Sequence, residues 1–262
     1  MTDKPIRIYQ CEDTVDGILS AVYDAGLSGY DHKYIRIQPV APGEAIELSL
    51  FSEYVPVESD VEKSERVVEA VRNKISYQAF SFVMAAAISC FPDRGDTIYQ
   101  FVTYGFTMGA KVCGAMQLPS VQRIFEIKRA VYNEGHFFKE FLRFQEVRQE
   151  PPLLFAIFEP KHQVVAIVTE HFADRFRDEW FIIYDKTHGE ASFHQPGAGW
   201  EIRLLEPEEA IRLEGLAEQQ EEYVDLWKIF FENIAIQERK NAALQRNLMP
   251  LHYRKHVTEF LP

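Results

Sequence analysis

The chain lacks most of the features that name a function at sight. Its three cysteines, Cys11, Cys90 and Cys113, are widely spaced and form no Cys-x-x-Cys pair. That excludes reading an iron–sulfur cluster or a zinc knuckle and points to reduced thiols in a cytosol. The most apolar run, residues 79–91, is shorter than the roughly 20 residues a bilayer requires and reads as a buried helix. The N-terminus has no apolar core of a signal peptide, so a cytoplasmic protein is expected. There is no Gly-x-Gly-x-x-Gly after a strand, no P-loop, no Gly-x-Ser-x-Gly and no His-Glu-x-x-His, which removes the common nucleotide, hydrolase and zincin signatures. Repeats and low-complexity tracts are absent too, and neither a cofactor nor a metal site is expected. Basic residues are outnumbered, 28 against 40 acids for a net charge of −12. A general nucleic-acid coat, basic throughout, is therefore excluded.

What is present is an apolar content of 47% in 262 residues, enough for a substantial core in one compact unit or two lobes. Residues 1–58 read as an N-terminal α/β segment, and residues 59–262 as a helical and antiparallel-sheet core with a basic C-terminal segment. Ile6–Tyr9 suggests a first strand. Apolar positions Ile18, Leu19, Val22 and Tyr23 recur at helical spacing behind an Asp or Thr cap. Tyr34–Gln38 and Ile46–Leu50 alternate as strands do. The pattern is then helical as far as Gln149. Beyond Pro151-Pro152 come Leu153–Phe158, a short helix through His171, Trp180–Tyr184, a hairpin-type turn at Asp185–Gly189, and Ala191–His194. Glu206 to Asp225, eight acids against one Arg212, opens a last long helix. Strands clustered around a run of helices predict an α+β protein with small antiparallel or mixed sheets.

The C-terminal stretch is a basic island on this acidic chain. From Gln237 to His256, Arg239, Lys240, Arg246, Arg254 and Lys255 face one acid, Glu238, a local charge of +4 that leaves about −16 for the rest. Arg and Lys neutralise phosphates, and Tyr253 with His252 or His256 could stack on an unpaired base. A basic helix end pairing with the 206–225 acids explains the same residues.

Other candidates are sparser. His171 and Arg175 fall one helical turn apart, spaced to grip a phosphate or carboxylate, or simply a histidine near a helix start. Arg129, His136 and Arg143 recur every seven residues beside Lys139, with Glu126 and Glu140 making a solvated mixed-charge face the expectation. Asp13, Asp16 and Asp185 stand at element ends. Two of them meeting would hold a divalent metal, although capping and turn roles account for all three.

Three segments, Tyr9…Asp16–Tyr23, His171–Asp185 and Asn233–Phe260, together resemble an uncharacterised bacterial family described as probable DNA metabolism proteins. The resemblance covers essentially the whole chain and is most specific at the C-terminal motif. Members are encoded beside a radical-SAM protein proposed to modify or repair DNA, and some are fused to a uracil-DNA glycosylase. The family has Arg-Tyr-Trp-Lys after Met-Pro and one residue; here His252 and Arg254 take the Arg and Trp positions, so stacking by that Trp has no counterpart. With the chain ending at Pro262, no fused glycosylase is expected, and without a cysteine triad the radical chemistry is expected on a partner. The resemblance implies an accessory DNA-binding protein of repair or modification, using Arg239, Lys240, Arg246, His252, Tyr253, Arg254 and Lys255, helped by Arg143, His171 and Arg175. DNA, a radical-SAM protein and a uracil-DNA glycosylase are the expected partners. The alternatives are a metal-dependent nuclease or base-processing enzyme using Asp16, His171 or Asp185, and a protein-docking module.

Overall fold

The computed structural model describes residues 4–41, 43, 49–147, 150–217, 249, 251–254, 256 and 257. It is α+β and divides into two compact units, Met1–Val131 and Tyr132–Pro262. The sequence reading allows one compact unit or two lobes parted near residue 58. In the structure, α2 (Val61–Ala70) packs on α1 (Val15–Leu27) and α4 (Arg94–Met108) on β2 (Ile35–Val40), which draws residues 59–131 into the first unit.

The first unit begins with β1 (Ile6–Glu12), α1 and β2, a strand–helix–strand crossover whose strands run parallel, Arg7 opposite Ile35. Thr14 starts α1 by accepting the Gly17 amide, a cap worth about 1 kcal/mol. β3 (Ser52–Pro56) adds in parallel on the other side of β1, giving the order β2-β1-β3. This sheet is thus wholly parallel. Of the strand expected at Ile46–Leu50, residues 46–48 lie outside the described residues; the described extended segment starts at Ser52. Its Tyr54 and Val55 are only half-buried, so an edge strand carries too little apolar alternation to stand out in the sequence. A π-helical segment, Val71–Ile75, links α2 to α3 (Tyr77–Ala87). α3 is the buried apolar helix expected from the run at 79–91. No described helix is long and apolar enough to cross a membrane.

α5 (Pro119–Phe141) carries the chain from the first unit into the second. There, β4 (Gln145–Val147), β5 (Leu153–Phe158), β6 (Trp180–Asp185), β7 (Glu190–Gln195) and β8 (Gly199–Leu204) form one sheet in chain order. It is mixed, because α6 (Val165–Arg175) crosses over between β5 and β6 and makes that pair parallel. Strand alternation puts Phe181, Ile183 and Asp185 on the α6 face, where Phe144 meets Phe172 and Phe181 at 4.8 and 5.9 Å. The opposite face buries Phe155, Tyr184 and Ala191 against Ala210 and Leu213 of α7 (Pro207–Ala217).

Candidate functional site

The chemistry of the second unit gathers at the carboxyl ends of its parallel strand pair, where Phe158 of β5 lies opposite Asp185 of β6. Open α/β sheets favour ligand sites at such ends. The chain turns there through Asp185–Gly189, and Gly189 has the positive φ (66°) that lets it close the hairpin and return its amide to the Asp185 carbonyl at 3.0 Å. Asp185 is fully buried. Its Oδ1 accepts the amides of Thr187 (2.9 Å) and His188 (3.1 Å), and its Oδ2 meets His188 Nδ1 at 2.6 Å.

Glu190 is the cross-strand partner of Asp185 on β7. Asp185, His188 and Glu190 each offer one ligand atom, all within 4.8 Å of one another, the spacing a single cation needs. Glu190 Oε1 is buried and has no hydrogen-bond partner among the described residues. Burial, with the charge of Asp185, pushes the Glu190 carboxyl up to about 7. Burial likewise raises Asp185 against the pull of His188 and the two turn amides. Burial alone would lower His188; the hydrogen bond to Asp185 and the charges of Asp185, Glu190 and Glu134 outweigh it and raise the imidazole.

Glu134 belongs to the same electrostatic neighbourhood. It is a buried acid in the α5 stripe Ile127, Val131, Glu134, Phe138, and it accepts the amides of Lys161 (3.0 Å) and His162 (2.8 Å) ahead of α6. Within the cluster, two carboxyls and one imidazole share a small space, and the raised pKa values of Asp185 and Glu190 reflect the cost of charging both there.

Of the residues expected from the sequence, Asp185 alone enters this cluster. Asp16 lies in the first turn of α1 and accepts a hydrogen bond from Ser64 Oγ, while Asp13 pairs with the buried Arg94. His171 and Arg175 are exposed on α6. Burial and the charges of Lys139 and Arg175 lower the His171 pKa against the pull of Asp174, so the neutral imidazole is favoured beside these two cations. Arg143 does not extend the His136 face, because α5 ends at Phe141; it lines a small crevice with Glu159, Tyr253 and His256. His136 itself pairs with Glu140 at 3.1 Å, as a solvated mixed-charge face predicts.

The C-terminal motif is largely internal where it is described. Tyr253, expected to stack on a base, is 8% exposed and packs against Phe137 and Phe138 at 5.0 and 4.9 Å. An aromatic ring gains more free energy against those two phenylalanines than in water, which accounts for the burial of Tyr253. Arg254 Nε donates to the Met249 carbonyl (3.0 Å), and His256 meets Glu159 at 3.0 Å. His252 is described in its backbone only, and Arg239, Lys240, Arg246 and Lys255 lie outside the described residues.

Sequence reasoning missed His188, Glu190 and Glu134. Two signals were there: Asp-x-x-His-x-Glu across a tight turn, and one acid standing in an apolar helical stripe.

No curated protein matches the chain. Among solved structures, PggH, a pGpG-specific phosphodiesterase from Vibrio cholerae, aligns with 81% of this chain and 97% of its own at 10% identity. Its TM-score of 0.35 is too low to bear on fold or chemistry. The family model of DUF4130, a domain of unknown function, matches residues 92–259, more than half of the chain and including the whole carboxylate–histidine cluster, so the chain belongs to that family.

Proposed function

We propose that this protein processes nucleic acid in DNA repair or modification, with a divalent-cation-dependent hydrolytic centre at Asp185, His188 and Glu190. The observation that carries the reading is the convergence of these three ligand atoms within 4.8 Å at the carboxyl end of a parallel strand pair. A mixed imidazole–carboxylate set suits Mn²⁺ or Zn²⁺ better than Ca²⁺. A cation so held supplies Lewis acidity toward a phosphoryl oxygen. The residues do the rest: Glu134 holds the loop before α6, the turn amides orient Asp185, and Asp185 orients His188. Lys139 and Arg175 supply cations, and His171 a neutral hydrogen-bonding ring, for phosphates further along the strand. The DNA setting, the radical-SAM protein and the uracil-DNA glycosylase as partners come from the resemblance of the quoted segments.

The 2.6 Å contact between Asp185 and His188 favours a second reading, in which this dyad activates water without a metal. One experiment separates the two. Mn²⁺ is titrated into wild type, Glu190→Gln and His188→Ala, and each is assayed on labelled single- and double-stranded DNA with and without uracil. The metal reading expects one Mn²⁺ per chain, weakened at least about tenfold in both variants, and metal-dependent turnover. Turnover in chelator that survives Glu190→Gln and vanishes in His188→Ala would instead identify the dyad. Absence of both binding and turnover would sink both readings.

A further inference from the structure

The first unit holds a cleft of about 590 Å³ between α1, α2, the π-helical segment and α4. That volume is in the range of small-molecule sites, roughly 300–1,000 Å³. Its walls are mostly apolar, with Leu27 of α1 and Phe106 of α4 both more than half exposed. At its floor His32 Nδ1 meets the buried Tyr99 hydroxyl at 2.6 Å.

Three observations distinguish this cleft from an incidental groove. The first is charge. The protein carries −12 overall, yet no carboxylate lines the cleft among the described residues, while Arg66 and Lys74 both do. Arg66 donates to the Tyr23 hydroxyl (3.1 Å) and keeps a long, exposed pair with Glu62 (3.7 Å), which an anionic ligand displaces at little cost. The second is backbone. Lys74 stands in the π-helical segment Val71–Ile75, a rare widening of a helix that tends to mark functional sites. The third is Gly26, in the last turn of α1. A Cβ there would meet nothing within 4 Å, so no packing demands a glycine. Helix propensity would favour almost any other residue, and the consequence of glycine is open space at the cleft wall.

We propose that the cleft binds a small molecule with an aromatic or short acyl body and one anionic group, the body against Leu27 and Phe106 and the anion between Arg66 and Lys74. Such a ligand satisfies apolar walls and a cationic rim together, whereas a neutral one makes no use of Lys74 or of the Arg66 guanidinium. The site involves none of the residues of the carboxylate–histidine cluster, so it stands or falls separately from the hydrolytic reading.

The probe is 8-anilinonaphthalene-1-sulfonate, an aromatic anion, compared with N-phenyl-1-naphthylamine, the same kind of body without the charge. Fluorescence titration of wild type should give one saturable site for the sulfonate and weaker binding of the neutral amine. Arg66→Gln/Lys74→Gln, at exposed positions that leave the fold intact, should weaken the sulfonate about tenfold and leave the amine unchanged. Gly26→Phe should abolish both, while Gly26→Ala should retain them and show that the helix tolerates a side chain there. Absence of saturable binding in wild type, or sulfonate binding that the charge-neutralised variant leaves unmoved, overturns the proposal.

Discussion

Glu134 stands in the apolar stripe of α5, where its carboxylate receives the Lys161 and His162 amides. Replacing it with alanine leaves two donors unsatisfied and a cavity beside Phe138, so Glu134→Ala should lose about 2–4 kcal/mol in urea unfolding. Glu134→Gln keeps one acceptor and the volume and should lose less than half of that. An alanine variant within 0.5 kcal/mol of wild type would show that the loop before α6 does not depend on this anchor. Asp96 gives a pH-dependent counterpart. Burial pushes its carboxyl up to about 6, against the pull of the Ile37 amide at 2.6 Å and of Arg36. A folded-state pKa above the unfolded value means the contribution is fully present below about pH 4 and is lost as pH rises through about 6. The side chain keeps 32% exposure and faces Arg36 at 3.7 Å, so solvent and that cation limit the loss to about 1 kcal/mol. Asp96→Asn should therefore be the more stable protein at pH 8, by thermal unfolding, with the difference closing by pH 4. A constant difference across that range would assign the effect to the hydrogen bond instead.

The β6–β7 hairpin shows what sequence pattern can and cannot carry. Alternation in Trp180–Tyr184 and Ala191–His194 around Asp185–Gly189 located both strands and the turn. The same pattern could not say that Glu190 pairs across from Asp185 or that Glu134 shares their field, because those depend on register and on a helix some fifty residues earlier. β8 was missed because Gly199–Leu204 is an edge strand with exposed residues at nearly every position, which erases the period-two signal. The parallel β5–β6 pairing was missed because the short helix around His171 was not recognised as a crossover between them. Gly189 tests the hairpin as an element. A β-branched residue at its φ of 66° is strained by about 1–2 kcal/mol, so Gly189→Val should open the turn and displace His188 and Glu190 together. Mn²⁺ affinity should then fall at least as far as in the single ligand variants while far-ultraviolet circular dichroism stays that of wild type. Unchanged Mn²⁺ binding in Gly189→Val would mean that the cation, if bound, is held elsewhere.

At the scale of the whole molecule, a chain of net charge −12 repels a polyanion at long range, so any DNA binding must come from local cations that outweigh that field. Two groups qualify. One is Lys139 and Arg175 beside His171 on the second unit; the other is the C-terminal island. Within the island, Tyr253 is internal and Arg254 Nε donates to the Met249 carbonyl, so Arg239, Lys240, Arg246 and Lys255 come first among the phosphate contacts proposed for it. Four such contacts imply a log–log salt slope of roughly −2.8 on single strands and −3.6 on duplex. Fluorescence anisotropy of labelled DNA, titrated with salt, should give slopes near these values. Neutralising the four residues should flatten them, while Lys139→Gln/Arg175→Gln should remove only one to two charges' worth. If instead the helix-patch variant abolishes binding and the island variant does not, the patch is the DNA surface and the island is left for protein docking. Co-purification with the radical-SAM protein that the resemblance implies, surviving nuclease treatment but lost on charge reversal at Arg239, Lys240, Arg246 and Lys255, would establish that docking role. Flat, weak binding by every variant would detach the protein from DNA altogether and turn the search for a substrate to small phosphate esters at the Asp185 cluster.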